Sequence, residues 1–588
     1  MTATPAISRS SIGPLKSRRG CKTCKARRVK CGEEKPHCLR CSKTGRKCEY
    51  QYTTYGTFSS GSSVSIIDTS LSVSPNRSWR ERRAFTYYFQ HAAPMIGGLD
   101  ADFWSTILPQ VSHTEPAVWD AIISISSLFE SYKLSTPTHK YQDALGWYSR
   151  SVSAVRQRIE CGGTDVFVNL ISCVLFICIE ALQGGAEEAL RLYKQGVNLV
   201  LALRDQVAEG SIPASRASLV EDTIVPMFAR LSLLGNSQNQ MPVGALLRDS
   251  DRALPPGFVD LKSAREAMFV LTAETHLLQK ACEAHHDSTS DYHVPGNLMA
   301  QQVALLSKLK NWCAAFNTLV EFLRTKPIST PHQTRIIALL QTHHETLVIL
   351  ITTCVSRFKT TTDACISNFQ TIVEQSRIAL DASARSDGSQ PPFTLDIGVG
   401  FPLLVAVLRC AEPTIRRQAV ALMRRAPSVQ GVYANSLGAA FCETVIRIEE
   451  MLAANMAASQ GTSFPQSPDQ SYLPVTGIQS PGNDSNASIS TVSMTISMRI
   501  DRSPSPHPAL ASMPIHVGIP LPIPEEARIK PYAVFRPRDG IPPGLEGDVA
   551  RWNVDPDTTF LRYSRNRLNP ETGEWWIVDE IIPLDFNI

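Results

Sequence analysis

From about Trp79 to Ala457, apolar residues recur at helical spacing in one stretch after another, and no run of any length shows the alternation of a half-buried strand. The clearest stretch is Tyr141, Leu145, Tyr148, Val152, Val155 and Ile159, spaced 4, 3, 4, 3, 4. Thr136-Pro137 opens it as an N-cap followed by Pro at the first helical position, and Gly162-Gly163 closes it. Barely three heptads is short for a dimer seam, so the stripe is expected to pack inside its own domain. Ala186 to Arg204 forms a second amphipathic helix through Leu190, Tyr193, Val197 and Leu201, and further helices are expected near 216–235, 260–284, 298–325, 333–357, 364–384, 401–425 and 434–456. Prolines 226, 295, 327, 331, 402, 413 and 427 fall mostly near their edges. The pattern predicts an all-α domain of roughly a dozen helices. Val166 to Ile179 is the longest apolar run, interrupted by Asn169 and Ser172 and flanked by Asp165 and Glu180. It falls short of the ~20 apolar residues of a membrane span and reads as a buried helix, so no membrane partner is expected.

Around this block the composition changes. Residues 51–77 are rich in Ser and Thr without apolar periodicity, and 458–510 are rich in Ser, Pro, Gln and Asn; both read as linkers. In 511–588, Tyr532 to Phe535 and Trp575 to Val578 are strand-like, and Asn569-Pro570-Glu571-Thr572-Gly573 reads as a hairpin turn. The expected organisation is a basic arm (1–20), a small cysteine-rich domain (21–50), a linker (51–77), an all-α body (78–457), a disordered linker (458–510) and a strand-containing C-terminal segment (511–588).

The chemistry is concentrated at the start. Cys21, Cys24 and Cys31 are spaced C-x2-C-x6-C, and Cys38, Cys41 and Cys48 repeat that spacing after a six-residue loop containing Pro36. Thiolates suit Zn²⁺, and a C-x2-C pair brings two sulfurs to one tetrahedral metal. Six sulfurs complete two four-ligand shells only if two of them bridge both metals. The repeat makes Cys21 and Cys38, first in each half, the natural bridging pair. A disulfide framework is the competing reading, but residues 1–20 contain no apolar signal-peptide run that would route the chain to an oxidising compartment. The other nine cysteines are scattered through helical patterns and read as core residues.

Charge gives this region a partner. Residues 1–50 hold 14 Lys and Arg against three Glu, a net of +11, whereas the whole chain is +4 and the remaining 538 residues sum to −7. Six thiolates and two Zn²⁺ sum to −2, so most of the positive charge remains for a polyanion. Lys16-Ser17-Arg18-Arg19, leading into the cysteine run, also reads as a nuclear-import signal.

The stretch resembles the fungal binuclear zinc cluster family, the Zn2Cys6 transcription factors, at every cysteine and at the loop proline. The resemblance implies two Zn²⁺, one held by Cys21, Cys24, Cys31 and Cys38 and the other by Cys38, Cys41, Cys48 and Cys21. It implies a short helix after the first C-x2-C that enters the major groove of double-stranded DNA at a CGG triplet. The base-reading positions would be Arg27 and Arg28, whose planar forks suit guanine. Lys25, Lys30 and Lys43 would hold phosphates. In the body, Trp79 to Phe85, Asp102-Phe103-Trp104, His113 to Val118, Asp396-Ile397-Gly398, Pro402-Leu403 and Cys410 to Arg417 resemble the helical regulatory domain of one group of ascomycete zinc cluster proteins. Together these imply a nuclear regulator of RNA polymerase II transcription for a fungal metabolic or secondary-metabolite pathway. No coiled coil is visible after the cluster, which leaves a homodimer partner and half-site spacing open.

Catalysis is not expected. There is no G-x-S-x-G, P-loop or G-x-G-x-x-G, and no small-molecule substrate is evident. His343-His344-Glu345 begins like a zinc-protease motif but has Val348 where the second His belongs, and His285-His286-Asp287 with His293 reads as a solvated turn. The alternative class is an interaction or ligand-sensing protein whose cluster is structural only; Arg27 and Arg28 weigh against it. The tail from Glu571 to Ile588 has five acids, eight bulky apolar residues between Trp575 and Phe586, and no Lys or Arg. It reads as a strand first, and second as an activation segment for a coactivator.

Overall fold

The computed structural model describes residues 21–27, 29, 31 and 38–48 and, with short gaps, 78–460 and 523–584. The chain divides into two units, 1–75 and 76–588. The linker read at 51–77 lies outside the described residues, as do the Thr136-Pro137 helix start and the linker read at 458–510 apart from 458–460, which continue the helix Asn435–Gln460 instead. In the small unit, α1 (Lys22–Ala26) and α2 (Leu39–Lys43) are single turns of helix, one per half of the cysteine repeat.

The large unit is mainly helical, and its helix starts follow local chemistry. A capping box of Ser78 and Glu81 opens α3 (Trp79–Tyr87). Pro116 stands at the start of α4 (Pro116–Ser131), which is buried along nearly its whole length. One buried charge on it, Asp120, is matched by Arg150 of α5 (His139–Glu160), which bonds both Asp120 oxygens at 2.6 Å and Glu81 at 2.7 Å. Helix α5 turns Ala144 and Ser151 toward α4: Ser124 donates to the Ala144 carbonyl and Ser151 to that of Ala117. Its 4, 3, 4, 3, 4 apolar stripe is half-buried beside this contact, with Ile159 exposed. Asp165 caps α6 (Val166–Gln183), which lies against α4 and α7 (Ala186–Ala208), and Gly184 closes it at φ +81°.

An extensive core is formed by α8 (Leu261–Ser288), α9 (Gly296–Arg324), α10 (Pro331–Thr353), α11 (Ile366–Ser383), α12 (Gly400–Arg409), α13 (Pro413–Arg425) and α14 (Asn435–Gln460). Two helices, α6 and α10, are long and apolar enough by composition to cross a membrane, more than the sequence reading allowed. The fold buries 78% and 67% of those stretches against neighbouring helices, so their apolar length serves the core. The histidines at 285 and 286 belong to the last turn of α8, not to a turn-like loop.

Two small sheets interrupt the helices. In the first, β1 (Phe393–Thr394) pairs in parallel with β2 (Val429–Gln430), which pairs antiparallel with β3 (Tyr433–Ala434). Two-residue strands carry no alternation, which is why the pattern shows none. The second is an antiparallel meander of β4 (Ile529–Phe535), β5 (Thr559–Leu568) and β6 (Trp575–Leu584), with Leu568 opposite Trp575 across a turn whose Gly573 has φ +70°. One face of the meander packs Ile529, Leu561, Tyr563 and Leu584 onto Phe441, Val445, Ile448 and Leu452 of α14. Arg416 of α13 pairs with Glu449 of α14 at 2.6 Å, and Glu449 also accepts the Ile529 N–H at 2.8 Å. Both side chains are almost fully buried, at 1% and 2% exposure.

Candidate metal centre and nucleic-acid interface

Residues 21–48 are too few to enclose an apolar core, and their interior is made of sulfur: Cys21, Cys24, Cys31, Cys38 and Cys41 are buried, with Cys48 and Val29 half-buried against them. The sulfurs of Cys21, Cys24, Cys31 and Cys38 lie within 4.8 Å of one another, and so do those of Cys21, Cys38, Cys41 and Cys48. Only Cys21 and Cys38 belong to both sets, as the arithmetic of six sulfurs and eight coordination places requires. Four ligands at ~2.3 Å from a tetrahedral Zn²⁺ are separated by about 3.8 Å. Cys21 to Cys38 is 3.8 Å, Cys21 to Cys41 is 3.7 Å and Cys24 to Cys38 is 3.6 Å. All six thiols are free, at separations far beyond the ~2.05 Å of a disulfide, so the competing reading of the cysteines is excluded.

Backbone N–H groups repeat the symmetry of the cysteines. Cys24 N–H donates to the Cys21 sulfur at 3.3 Å and Cys41 N–H to the Cys38 sulfur at 3.4 Å. Cys21 N–H donates to the Cys31 sulfur at 3.3 Å and Cys38 N–H to the Cys48 sulfur at 3.2 Å. The chain turns alike in both halves, Val29 N–H reaching the Cys24 carbonyl and Arg46 N–H that of Cys41. These donors favour the thiolate form that a metal requires. The Cys41 N–H draws Cys38 down to about 6, and Cys21 is lowered as well: burial opposes ionisation there, and the Cys24 N–H and the neighbouring thiols outweigh it. Burial raises Cys24 and Cys41. The shared pair is therefore the pair most easily ionised. When bound, the two ions tie both halves into one body and present α1 and α2 on its surface.

The basic residues are placed unequally. Arg27 is exposed just after α1 and donates to the Thr44 hydroxyl at 3.3 Å. Thr44 occupies in the second half the position that Arg27 occupies in the first, so this bond joins equivalent points of the repeat. Thr23 makes a second tie, its hydroxyl donating to the Lys47 carbonyl at 2.7 Å. Lys43 is exposed at the end of α2, and Lys25 lies on α1. Arg28 and Lys30 lie outside the described residues. Exposed Arg40, Arg46 and Lys47 add charge that the sequence reading did not single out. The repeat itself signals them, since they occupy the places of Thr23, Val29 and Lys30. Among the described residues, no other set of three metal-ligating side chains converges.

Residues 19–54 match the model of the fungal Zn(2)-Cys(6) binuclear cluster domain. The domain binds two Zn²⁺ through its six grouped cysteines. The chain is similar to the aspercryptin biosynthesis cluster-specific transcription regulator atnN of Emericella nidulans, with 31% identity over 37% of this chain and 39% of that protein. It is also similar to the transcription regulator lscL of Purpureocillium lilacinum, with 24% identity over 34% of this chain and 55% of the relative. The transcriptional regulatory protein moc3 of Schizosaccharomyces pombe shares 56% identity over 34 residues, 6% of this chain and 7% of its own length. The chain thus spans between 7% and 55% of the length of these relatives. No solved structure matches it significantly.

Proposed function

We propose that this protein is a nuclear, sequence-specific DNA-binding transcription factor, a regulator and not an enzyme, that recognises CGG-containing sites through its binuclear zinc cluster. The observation that carries the reading is the pair of four-sulfur sets sharing Cys21 and Cys38, with Arg27, Arg40, Lys43, Arg46 and Lys47 exposed around them. A rigid, positively charged surface on so short a stretch suits a phosphate backbone, and arginine on a helix end suits guanine O6 and N7. Arg27 and Arg28 are assigned to the bases, and Lys25, Lys30 and Lys43 to phosphates. The names of the relatives, one of them a biosynthesis cluster-specific regulator, support RNA polymerase II genes of a fungal metabolic or secondary-metabolite pathway as targets. The test is fluorescence anisotropy of the full-length, zinc-loaded chain on a CGG-containing duplex and on a scrambled duplex of equal length. Preference for CGG of tenfold or more, falling steeply with salt on both duplexes, is the expected result. Equal affinity for the two would leave the cluster a structural module.

A further inference from the structure

The helical unit contains a cavity of about 180 Å³ where the start of α10, the end of α11 and strand β2 meet Pro94 and Met95. An apolar cavity of ~150 Å³ is large enough to hold benzene, so one ring-sized molecule fits here. Leu339, Leu380 and Val399 supply apolar wall, and no acidic side chain is among the described residues that line it. Two donors of the lining lack acceptors. The Arg335 side chain is 16% exposed, and its ion pair with the buried Asp396 is 3.9 Å long, beyond hydrogen-bond distance. Gln430 of β2 is 4% exposed, and its Oε1 accepts the Gly400 N–H at 2.9 Å. Its amide nitrogen stands 1.9 Å from where a Cβ on Gly398, another lining residue, would lie, and no described group accepts from it. The other polar side chains of the lining are engaged: His332 donates from Nε2 to the Gly98 carbonyl at 2.9 Å, and Ser383 donates to Gln390 at 2.9 Å.

We propose that this cavity binds a small, ring-sized apolar monocarboxylate, with Arg335 as the partner of its charge and the Gln430 N–H as a second donor. A planar guanidinium without a hydrogen-bonded acceptor is matched in charge and geometry by a carboxylate. The Gln430 amide gains from the same ligand an acceptor that the protein does not give it. The apolar wall then covers the ring, the usual division of labour in a small-molecule site. Other ligand classes fit less well. An amine would meet Arg335 with no acid in the lining to hold it, and an uncharged ring would leave both donors unsatisfied. A dicarboxylate would set its second charge against Leu339, Leu380 or Val399. The site lies wholly within the helical unit and does not depend on how the cluster reads DNA.

The probes are benzoate and cyclohexanecarboxylate, titrated by calorimetry into the full-length, zinc-loaded protein. Benzamide serves as the uncharged counterpart and acetate as the acid without a ring. At least one of the two ring acids is expected to bind with a Kd of about 1 mM or tighter, and benzamide and acetate about tenfold more weakly. Arg335→Gln is expected to bring the ring acid down to the level of benzamide, and Arg335→Lys to keep part of the preference for the acid. Because Arg335→Gln also strips Asp396 of its ion pair, a second variant leaves that pair intact. Ala382→Phe, at a half-buried residue of the lining, is expected to fill the cavity and abolish binding while the melting temperature holds. Absence of saturable binding by both ring acids overturns the proposal. So does benzamide binding as tightly as benzoate, or a folded Ala382→Phe protein with unchanged affinity for the acid.

Discussion

The two units of this chain stabilise a folded interior by opposite means. In residues 21–48 the interior is sulfur, and two single-turn helices too short to persist alone are held by metal coordination and by backbone N–H groups on thiolates. In the body the interior is conventional apolar packing between helices, and most of its cysteines are buried there as small hydrophobes. One kind of residue thus serves two purposes, decided by spacing. Cys173 and Cys178 are buried in α6 and raised by that burial, the reverse of what a metal ligand needs. The difference teaches that the cluster should be fragile toward loss of single atoms and the body tolerant of them, except where the body buries a charge.

The largest effect should come from Cys38→Ala. Because Cys38 belongs to both four-sulfur sets, this change should remove both zinc ions and abolish DNA binding, while the thermal unfolding of the helical body stays at its wild-type midpoint. Cys24→Ala, which touches one set, should retain one zinc per chain. Elemental analysis and calorimetry on the same samples decide the matter: one tightly held zinc with full DNA binding in Cys38→Ala would refute the shared-sulfur arrangement. A chelator should reproduce the Cys38→Ala result in the wild-type protein.

The body's counterpart is the buried pair of Arg416 and Glu449. Arg416→Met strands the Glu449 carboxylate in the interior and should destabilise the body by about 3–5 kcal/mol in urea denaturation. Combining it with Glu449→Gln should recover much of that loss, since the amide oxygen still accepts the Ile529 N–H. Zinc content should not change in either variant. Loss of less than about 1 kcal/mol in Arg416→Met would show the pair to be hydrated in solution.

How much of this was legible beforehand follows the same division. The cysteine repeat pointed to Cys21 and Cys38 as the shared pair, whereas the two sulfur sets came from the family resemblance, and the structure groups the sulfurs in the same way. Helix positions were legible from periodicity, and Pro331 and Pro413 stand at helix starts as expected. The small β1–β3 sheet was not, because a two-residue strand is specified by its distant partner: Phe393 of β1 lies opposite Val429 of β2, with two helices between them in sequence. The Arg416–Glu449 pair was hidden for the same reason, since it joins separate helices.

A smaller effect tests the DNA-facing assignments. Arg28→Ala should cost about 1–3 kcal/mol on a CGG duplex and flatten the preference for guanine. Lys30→Ala should weaken binding to CGG and scrambled duplexes alike and lower the salt slope by about one. Titrations at three or more salt concentrations separate the two. An Arg28→Ala protein with wild-type sequence preference would move the reading role elsewhere, and exposed Arg27 would be the first alternative to test.

The smallest effect is expected at the tail, from two exposed side chains on the edge of β6. Strand β6 combines core residues with an exposed edge: Val578, Ile581 and Leu584 are buried, whereas Trp576 and Ile577 are 37% and 49% exposed. Trp575 is intermediate and meets Phe358 edge-on at 5.6 Å. Burial on both faces, Ile581 against Val549 and Phe560 and Leu584 against Leu561 and Tyr563, supports a structural strand together with the full β5–β6 register, and Arg565 with Glu580 adds a cross-strand ion pair at 2.8 Å. On this account Ile581→Ala should destabilise the body by about 2–4 kcal/mol, as deletion of buried methyl groups does. The double change Trp576→Ala with Ile577→Ala should stay within about 0.5 kcal/mol of wild type, because neither side chain fills the core. Transcription from a CGG-driven reporter should then follow stability, falling with Ile581→Ala and holding with the exposed pair. A reporter that fails in the Trp576/Ile577 variant while the melting temperature holds would mean that this acidic, apolar edge is read by a coactivator, and would overturn the purely structural account of the tail.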